Sequence, residues 1–414
     1  MASIPDYILY ILVFFSVYVQ VFLLITFLEN RKKIIIRKEK INLAKYPAVT
    51  IIVPAWNEER TVYKTVRSLL DLRYPKEKIK IFLIDDGSTD GTWGEISKFA
   101  GYNNVRLFRK ENGGKHTALN LGLEHCNTEF FGCLDADSVV DPEALVRIMS
   151  KFDADPESMA VVPSVVVSSA KNAIENAQEA EYHMGVFMKK MLDFLGAINV
   201  TPGPFTIFRK KVFEDLGPYR HAHNTEDMEI AYRMQTNNYK ISHCNDAYVR
   251  TNIPGTITKL FKQRLRWMYG FINNTLDYRR ALLRAKYGNF ALFTLPTGLV
   301  SVMAVSYLFG RMAYSMGYFA YSKFTEYQTV GLNLSASAKS FDPFFLNAEA
   351  SFFLIALVYS SIVFAIIFGQ KMSEGKFRFS INMLYFLVIF RLLAPFWIVS
   401  ALWNTATSRA PKWR

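Results

Sequence analysis

With 414 residues and a net charge of +13, the chain is long enough for one ordinary domain plus a second region, and its basic balance asks for anionic partners such as nucleic acid, anionic lipid or phosphorylated small molecules. The placement of the basic residues favours the membrane over nucleic acid. Three scattered cysteines, Cys126, Cys133 and Cys244, form no metal spacing and cannot all pair, which suits a reducing cytosol.

In chain order, Tyr7 to Leu28 is an uncharged run of 22 residues followed at once by "RKKIIIRKEK", and such a run spans a hydrocarbon core of about 30 Å. A cleaved leader would place basic residues before the apolar run and small residues after it; here the order is reversed. Basic residues flank the cytoplasmic ends of spans, so residues 31 to 289 are expected inside and the amino terminus outside, in an integral protein of the cell membrane.

The middle of the chain alternates strands and helices. "AVTIIVPAWNEE" reads as a buried strand ended near Pro54, and Val62, Val66, Leu69 and Leu70 follow at helical spacing. "KIKIFLIDDGSTD", "NVRLFRKENGG" and "EFFGCLDADSVVDPEALVRIM" repeat the pattern, which predicts a mostly parallel, covered sheet. Ligands bind such sheets beyond the carboxyl ends of the strands, where Pro54 to Glu58, Asp85 to Asp90 and Asp135 to Asp137 are expected to cluster. Neither G-x-G-x-x-G nor G-x-x-x-x-G-K-[ST] occurs, which removes the simplest dinucleotide and P-loop readings.

Asp135 and Asp137 point to one side of extended chain. A sparse carboxylate pair suits magnesium or manganese held jointly with a diphosphate, against the competing reading of helix capping by Ser138 or Asp141 with incidental acids nearby. "ENGGKHTALN" offers a glycine-rich turn with Lys115 in the first turn of a helix, a cradle for phosphate. "NTEDMEIAYRM" starts a further helix in which Glu226 and Asp227 could simply complement the dipole. Wound as a helix, "KLFKQRLRWMYG" sets Phe261, Leu265, Met268, Ile272 and Leu276 along one apolar stripe, with Gln263, Arg266, Trp267 and Gly270 opposite. A helix resting on the bilayer uses the first stripe and predicts only solvated charge on the second, which a tryptophan and a glycine fit badly.

Three further spans are expected at Phe290 to Gly310, Ala350 to Gln370 and Phe379 to about Thr407. Four spans would leave the basic tail "SRAPKWR" outside, and a break at Pro395 is one way to return it. Arg311 and Arg391 fall within or beside spans, where charge is costly and either functional or snorkelling.

Set together, "VPAWNEE", "DDGSTD", "NGGKHTALN", "DAD", "TED" and "QRLRW", in this order and between apolar runs, resemble the family 2 glycosyltransferases, specifically the membrane-integrated synthases of cellulose, hyaluronan, chitin and poly-N-acetylglucosamine. The likeness covers roughly residues 49 to 270. It implies an α/β GT-A domain over residues 45 to 255, after a transmembrane helix over 1 to 30 and before an amphipathic interfacial helix over 256 to 285, with about three membrane helices over 286 to 414. It also implies inverting transfer from a UDP-sugar with Mg2+ or Mn2+, onto a growing polysaccharide or a lipid acceptor. By that match Pro54, Ala55, Asn57, Glu58 and Asp86 would hold the nucleoside, and Lys115, Asp135 and Asp137 the diphosphate and metal. Asp227 would be the general base beside Glu226, and Gln263, Arg266 and Trp267 would lie over the diphosphate and acceptor sugar. "TPGPFTIFRK" resembles an acceptor-side stretch of hyaluronan and chitin synthases, with Phe205 and Thr206 departing from the commoner residues. A glycolipid or polyprenyl-phosphate sugar transferase is the alternative, since four spans are few for a polymer channel. A non-catalytic nucleotide-sugar sensor would be expected to lack Asp227 or an Asp of "DAD".

Overall fold

The computed structural model describes residues 4–34, 41, 43–330, 350–375 and 377–411. Helix α1 (Ile4–Asn30) is followed by an α/β domain containing β1 (Val49–Ala55), α2 (Val62–Leu70), β2 (Ile79–Asp86), α3 (Thr92–Ser97), β3 (Val105–Lys110), α4 (Lys115–Glu124), β4 (Phe130–Cys133), β5 (Ser138–Val140) and α5 (Ala144–Ala154). The domain continues through β6 (Ser158–Val167), α6 (Ala173–Phe194), β7 (Ile207–Arg209), α7 (Lys211–Leu216), α8 (Glu226–Thr236) and β8 (Lys240–Thr251). Helix α9 (Ile257–Asp277) then leads to α10 (Leu295–Val330), α11 (Ala350–Glu374) and α12 (Ile381–Ala406).

The eight strands form one sheet in the order β3-β2-β1-β4-β7-β6-β8-β5. Strands β3, β2, β1 and β4 are parallel, as the repeated strand-helix pattern predicts, whereas β7 runs antiparallel between β4 and β6, and β5 closes the far edge against β8. β1 is buried on both faces: Val49, Ile51 and Val53 enter one core with Val62, Val66 and Leu69 of α2, while Ile52 enters the other with Ala118 and Leu119 of α4. A strand covered on both sides needs an apolar run without alternation, and this is what "VTIIV" supplies. Its one polar residue, Thr50, is fully buried and hydrogen-bonds the Thr128 hydroxyl at 2.7 Å.

Four helices are long and apolar enough to cross a membrane. Three of them differ from the sequence expectation. α10 does not stop at Gly310 but continues to Val330, and a helix of 36 residues is about 54 Å long, well beyond a hydrocarbon core of about 30 Å. No proline interrupts "RMAYSMGYFAYSKFTEYQTV", so nothing local ends it. α11 runs on to Glu374, past the expected end at Gln370. α12 passes through Pro395 without a break. The three cysteines are buried and free.

The apolar stripe of α9 also departs from expectation. Phe261, Leu265 and Met268 pack against Val302 of α10 and Trp397 and Ile398 of α12, and Ile272 against Ala401, so the stripe meets protein rather than lipid. Leu276, the last member of the stripe, is exposed.

Candidate active site

The ends of β1 and β2 are laced together by polar bonds from the first loop to the second. The Asn57 amide donates to Ser88 Oγ at 3.0 Å, the Glu58 amide to Thr92 Oγ1 at 2.7 Å, and Asn57 Oδ1 accepts from the Thr89 amide at 2.8 Å. Asn57 adopts φ of 56°, a left-handed conformation that asparagine tolerates better than most side chains. Gly87 is required by space: a Cβ there would lie 2.6 Å from the Asn112 amide nitrogen, and its φ is 71°. Asp86 is almost fully buried, and its oxygens accept from Lys110 Nζ at 2.5 Å and from the Gly113 and Gly114 amides at 3.2 and 2.9 Å. The carboxylate expected at the nucleoside therefore braces the glycine turn that introduces Lys115.

Lys115, in the first turn of α4, is the hub of a carboxylate cluster. Its ammonium lies 2.8 Å from Asp135 beyond β4 and 3.2 Å from Glu226 at the start of α8. Burial disfavours the charge, yet Asp135 and Glu226 together hold the lysine pKa well above its ordinary value. Burial likewise opposes the ionised form of Glu226, and the Lys115 ammonium wins, keeping that carboxyl below the usual range. Gly203 permits this packing, because a Cβ would sit 2.5 Å from Lys115 Nζ and 2.7 Å from Asp135 Oδ1. The "TPGPF" stretch thus backs the Lys115–Asp135 pair. Phe205 and Thr206 point elsewhere: both are fully buried, and Phe205, at φ of 64°, joins the main core.

Asp137 is pushed up to about 7, first by burial and then by the neighbouring carboxylates Asp135 and Glu58. Among the described residues no group of three or more His, Cys, Asp or Glu side chains is arranged to hold a metal ion. The donor set is a carboxylate pair with a third acid close enough to repel it. Oxygen ligands that crowd negative charge without completing a shell fit a hard cation that keeps waters and substrate phosphates as its other ligands.

Asp227 is half-buried one residue beyond Glu226. Its backbone carbonyl accepts from the Thr201 amide at 3.0 Å and the Thr201 hydroxyl at 2.8 Å, fixing the start of α8 to the "TPGPF" stretch. Burial and the adjacent Glu226 charge raise its carboxyl to about 6, while Lys115 and Arg266 oppose the rise. Lys189 of α6 feels the same carboxylate: burial lowers its ammonium to about 8 against the attraction of Asp227.

Helix α9 closes over this group. Thr256 caps it, accepting from the Lys259 amide, and Arg266 donates to the Asn224 carbonyl at 2.9 Å, next to "TED". Gly270 makes the approach possible, because a Cβ there would lie 2.2 to 2.8 Å from Thr225 side-chain atoms. Gln263 and Trp267 are held by Arg264, whose Nη1 donates to Gln263 Oε1 at 3.1 Å and whose guanidinium lies 4.1 Å from the Trp267 ring centroid. Arg264 itself is buried and ion-paired with Glu181 of α6. Arg264, Glu181 and Lys189 escaped the sequence reading. The one available signal was that Arg264 lies on neither the apolar stripe nor the face of Gln263 and Trp267, so it needs a partner of its own.

Replacing Gly270 with Ala should push α9 off Thr225, costing about 1–3 kcal/mol of overpacking strain. Transfer should fall roughly tenfold, the equivalent of about 1.4 kcal/mol in the barrier. Thermal unfolding and turnover measured together check this, and unchanged values in both would show that the helix seats without a glycine.

Residues 50–217 match the family model described as glycosyl transferase family 2. Over 236 residues the chain is 31% identical to a poly-β-1,6-N-acetyl-D-glucosamine synthase of Staphylococcus aureus (strain COL), covering 56% of this chain and 57% of that one. A synthase of the same name from Staphylococcus epidermidis is 32% identical over 224 residues, 54% of each chain. The chain therefore spans little more than half the length of these curated relatives. Among solved structures, a mannosyltransferase from Pyrobaculum calidifontis in complex with GDP-Man and Mn2+ superposes with a TM-score of 0.60 at 15% identity, over 96% of this chain and 99% of that one, a likeness of fold. Through its residues 50–217 the chain is similar to the family 2 glycosyl transferases, and helices long and apolar enough to cross a membrane flank that region.

Proposed function

We propose that this protein is an inverting membrane glycosyltransferase that takes a UDP-sugar and extends a polysaccharide, with the catalytic domain facing the cytosol and the amino terminus outside. The observation that carries the reading is the raised, half-buried carboxyl of Asp227 beside the Lys115–Asp135–Glu226 cluster, beneath a helix that brings Arg266 to the same place. The name shared by the curated relatives makes N-acetylglucosamine the first sugar to try, as its UDP derivative.

Asp227 takes the proton of an acceptor hydroxyl, the hydroxyl oxygen bonds to the anomeric carbon from the side opposite the leaving group, and the bond from that carbon to the diphosphate oxygen breaks. Charge develops on the leaving diphosphate, which Lys115, now paired to Asp135, and Arg266, now bonded to the Asn224 carbonyl, would stabilise. Asp135 and Asp137 would hold Mg2+ or Mn2+, which supplies further charge neutralisation at that diphosphate. The loop Pro54, Ala55, Asn57, Glu58, stiffened by its bonds to the second loop, would receive the nucleoside, with Asp86 setting the glycine turn behind it. The face of Trp267, fixed by Arg264, offers an apolar platform for the acceptor sugar, and Gln263 lies one turn before it.

Incubating purified protein with a panel of UDP-sugars and sizing the product tests this directly. A polymer supports the proposal; a product carrying one sugar on a lipid would replace it with the glycolipid or polyprenyl-phosphate alternative. Exhaustive chelation is expected to abolish transfer, restored by added Mg2+ or Mn2+, because two carboxylates that repel one another cannot themselves neutralise a diphosphate. Full activity after chelation would remove the metal from Asp135 and Asp137.

A further inference from the structure

α12 reads as a membrane span by length and composition, but its contacts differ in kind from those of α1 and α11. α1 touches the catalytic domain only with its last three turns, through Val19, Leu23 and Phe27, and α11 chiefly with Ala365 to Met372; the outer half of each leaves the domain. α12 stays on the protein from end to end. Near its start Asn382 donates to Glu179 of α6, and Met383 and Phe386 pack on Ala177 and Ala180. In its middle the Phe390 ring lies 5.8 Å from the Arg264 guanidinium. In its last turns Ala401 packs on Tyr269 and Ile272, and Thr405 Oγ1 accepts from Asn273 at 3.0 Å. Beyond its end the Pro411 carbonyl accepts from Asn224, the residue that also receives Arg266.

A helix of 26 residues is about 39 Å long. Had it crossed the bilayer, one of its ends would stand about 30 Å from the domain that the other end touches. The start instead bonds to the domain on α6, and the end bonds to α9, the helix that closes over the domain, and to Asn224 of the domain itself. The opposite side of α12 presents Leu384, Val388, Leu392, Phe396, Val399 and Trp403, all exposed and spaced by three or four residues. Beside it, α10 and α11 likewise expose apolar residues such as Met303, Leu308 and Phe353, so hydrocarbon is the occupant this stripe fits.

We propose that α12 lies within the leaflet on the catalytic-domain side and does not cross, so that α1, α10 and α11 are the crossing helices and residues 407–411 return to the side of the catalytic domain. Arg391, exposed beside this stripe, donates to the Tyr359 hydroxyl of α11 at 2.6 Å, which gives its charge a polar partner among the apolar helices. Arg409 falls on the side that Arg31, Lys32 and Lys33 after α1 also occupy, as the distribution of basic flanks requires. The lid helix α9 is thereby sandwiched between the cleft and a helix seated in the leaflet.

The inference rests on membrane integration and not on the identity of the sugar. Single cysteines placed at Tyr7→Cys, Asn103→Cys and Ala410→Cys in the full-length protein, whose own three cysteines are buried, are treated with a membrane-impermeant maleimide before and after permeabilising the cells. The expected result is that Ala410→Cys follows Asn103→Cys and differs from Tyr7→Cys, whichever side the catalytic domain occupies. Labelling of Ala410→Cys together with Tyr7→Cys overturns the proposal. A protease site appended after Arg414 gives a second readout on the same comparison: cleavage from the side of Asn103 supports the non-crossing helix, and cleavage from the other side overturns it.

Discussion

Asp227→Asn is expected to lower turnover at least about 10²-fold while donor affinity stays nearly constant, because the amide keeps the shape of the side chain and removes the proton acceptor. The same carboxyl sets a pH dependence. It is raised to about 6 by burial and by Glu226, so the ionised, proton-accepting form is complete well above that pH and is lost as pH falls through it. In the wild type kcat/KM should therefore decline on the acid side around pH 6, whereas the residual activity of the Asn variant should not follow that limb. A parallel fall in donor affinity would make Asp227 a binding residue and leave the proton acceptor to be found elsewhere, with Glu226 disfavoured because its carboxyl is already paired to Lys115.

Arg266→Ala and Trp267→Ala, adjacent substitutions on one helix, should separate two roles. Loss of the guanidinium beside "TED" removes stabilisation of the leaving diphosphate, and losses of about 10²–10³-fold are typical for one such donor. Slow hydrolysis of the donor by water should fall with it. Trp267→Ala should reduce transfer strongly yet spare both UDP binding and slow hydrolysis, since water needs no platform. UDP release measured with and without acceptor in both variants reads the difference. Equal loss of hydrolysis and transfer in both would mean that α9 acts by packing alone.

Much of the site was legible because its chemistry is local. A β-strand that is buried on both faces must end where polar residues begin, and "PAWNEE", "DDGSTD" and "DAD" are such endings on β1, β2 and β4. The face of α9 that carries Arg266 and Gly270 followed from helical spacing, and the requirement for a glycine at 270 became intelligible once Thr225 was found against it. α6 was illegible for the opposite reason. Glu181 and Lys189 stand on a long helix with no motif of its own, and they acquire meaning only from Arg264 and Asp227, 83 and 38 residues further along the chain.

The sequence by itself determined the family resemblance, the order of the first four strands and the helices that follow them, and the apolar character of four helices, since these depend on residue type and spacing along the chain. Only the tertiary structure decided what each apolar face meets. The stripe of α9, suited by composition to a bilayer, is taken by α10 and α12. α12 is apolar all round because one face packs on α6 and α9 and the other is left to lipid, a distribution whose composition matches that of a helix surrounded by hydrocarbon. Hydropathy measures how much apolar surface a helix carries and not its direction, so the difference between crossing a membrane and lying in one leaflet is fixed by where the two ends of the helix are bonded.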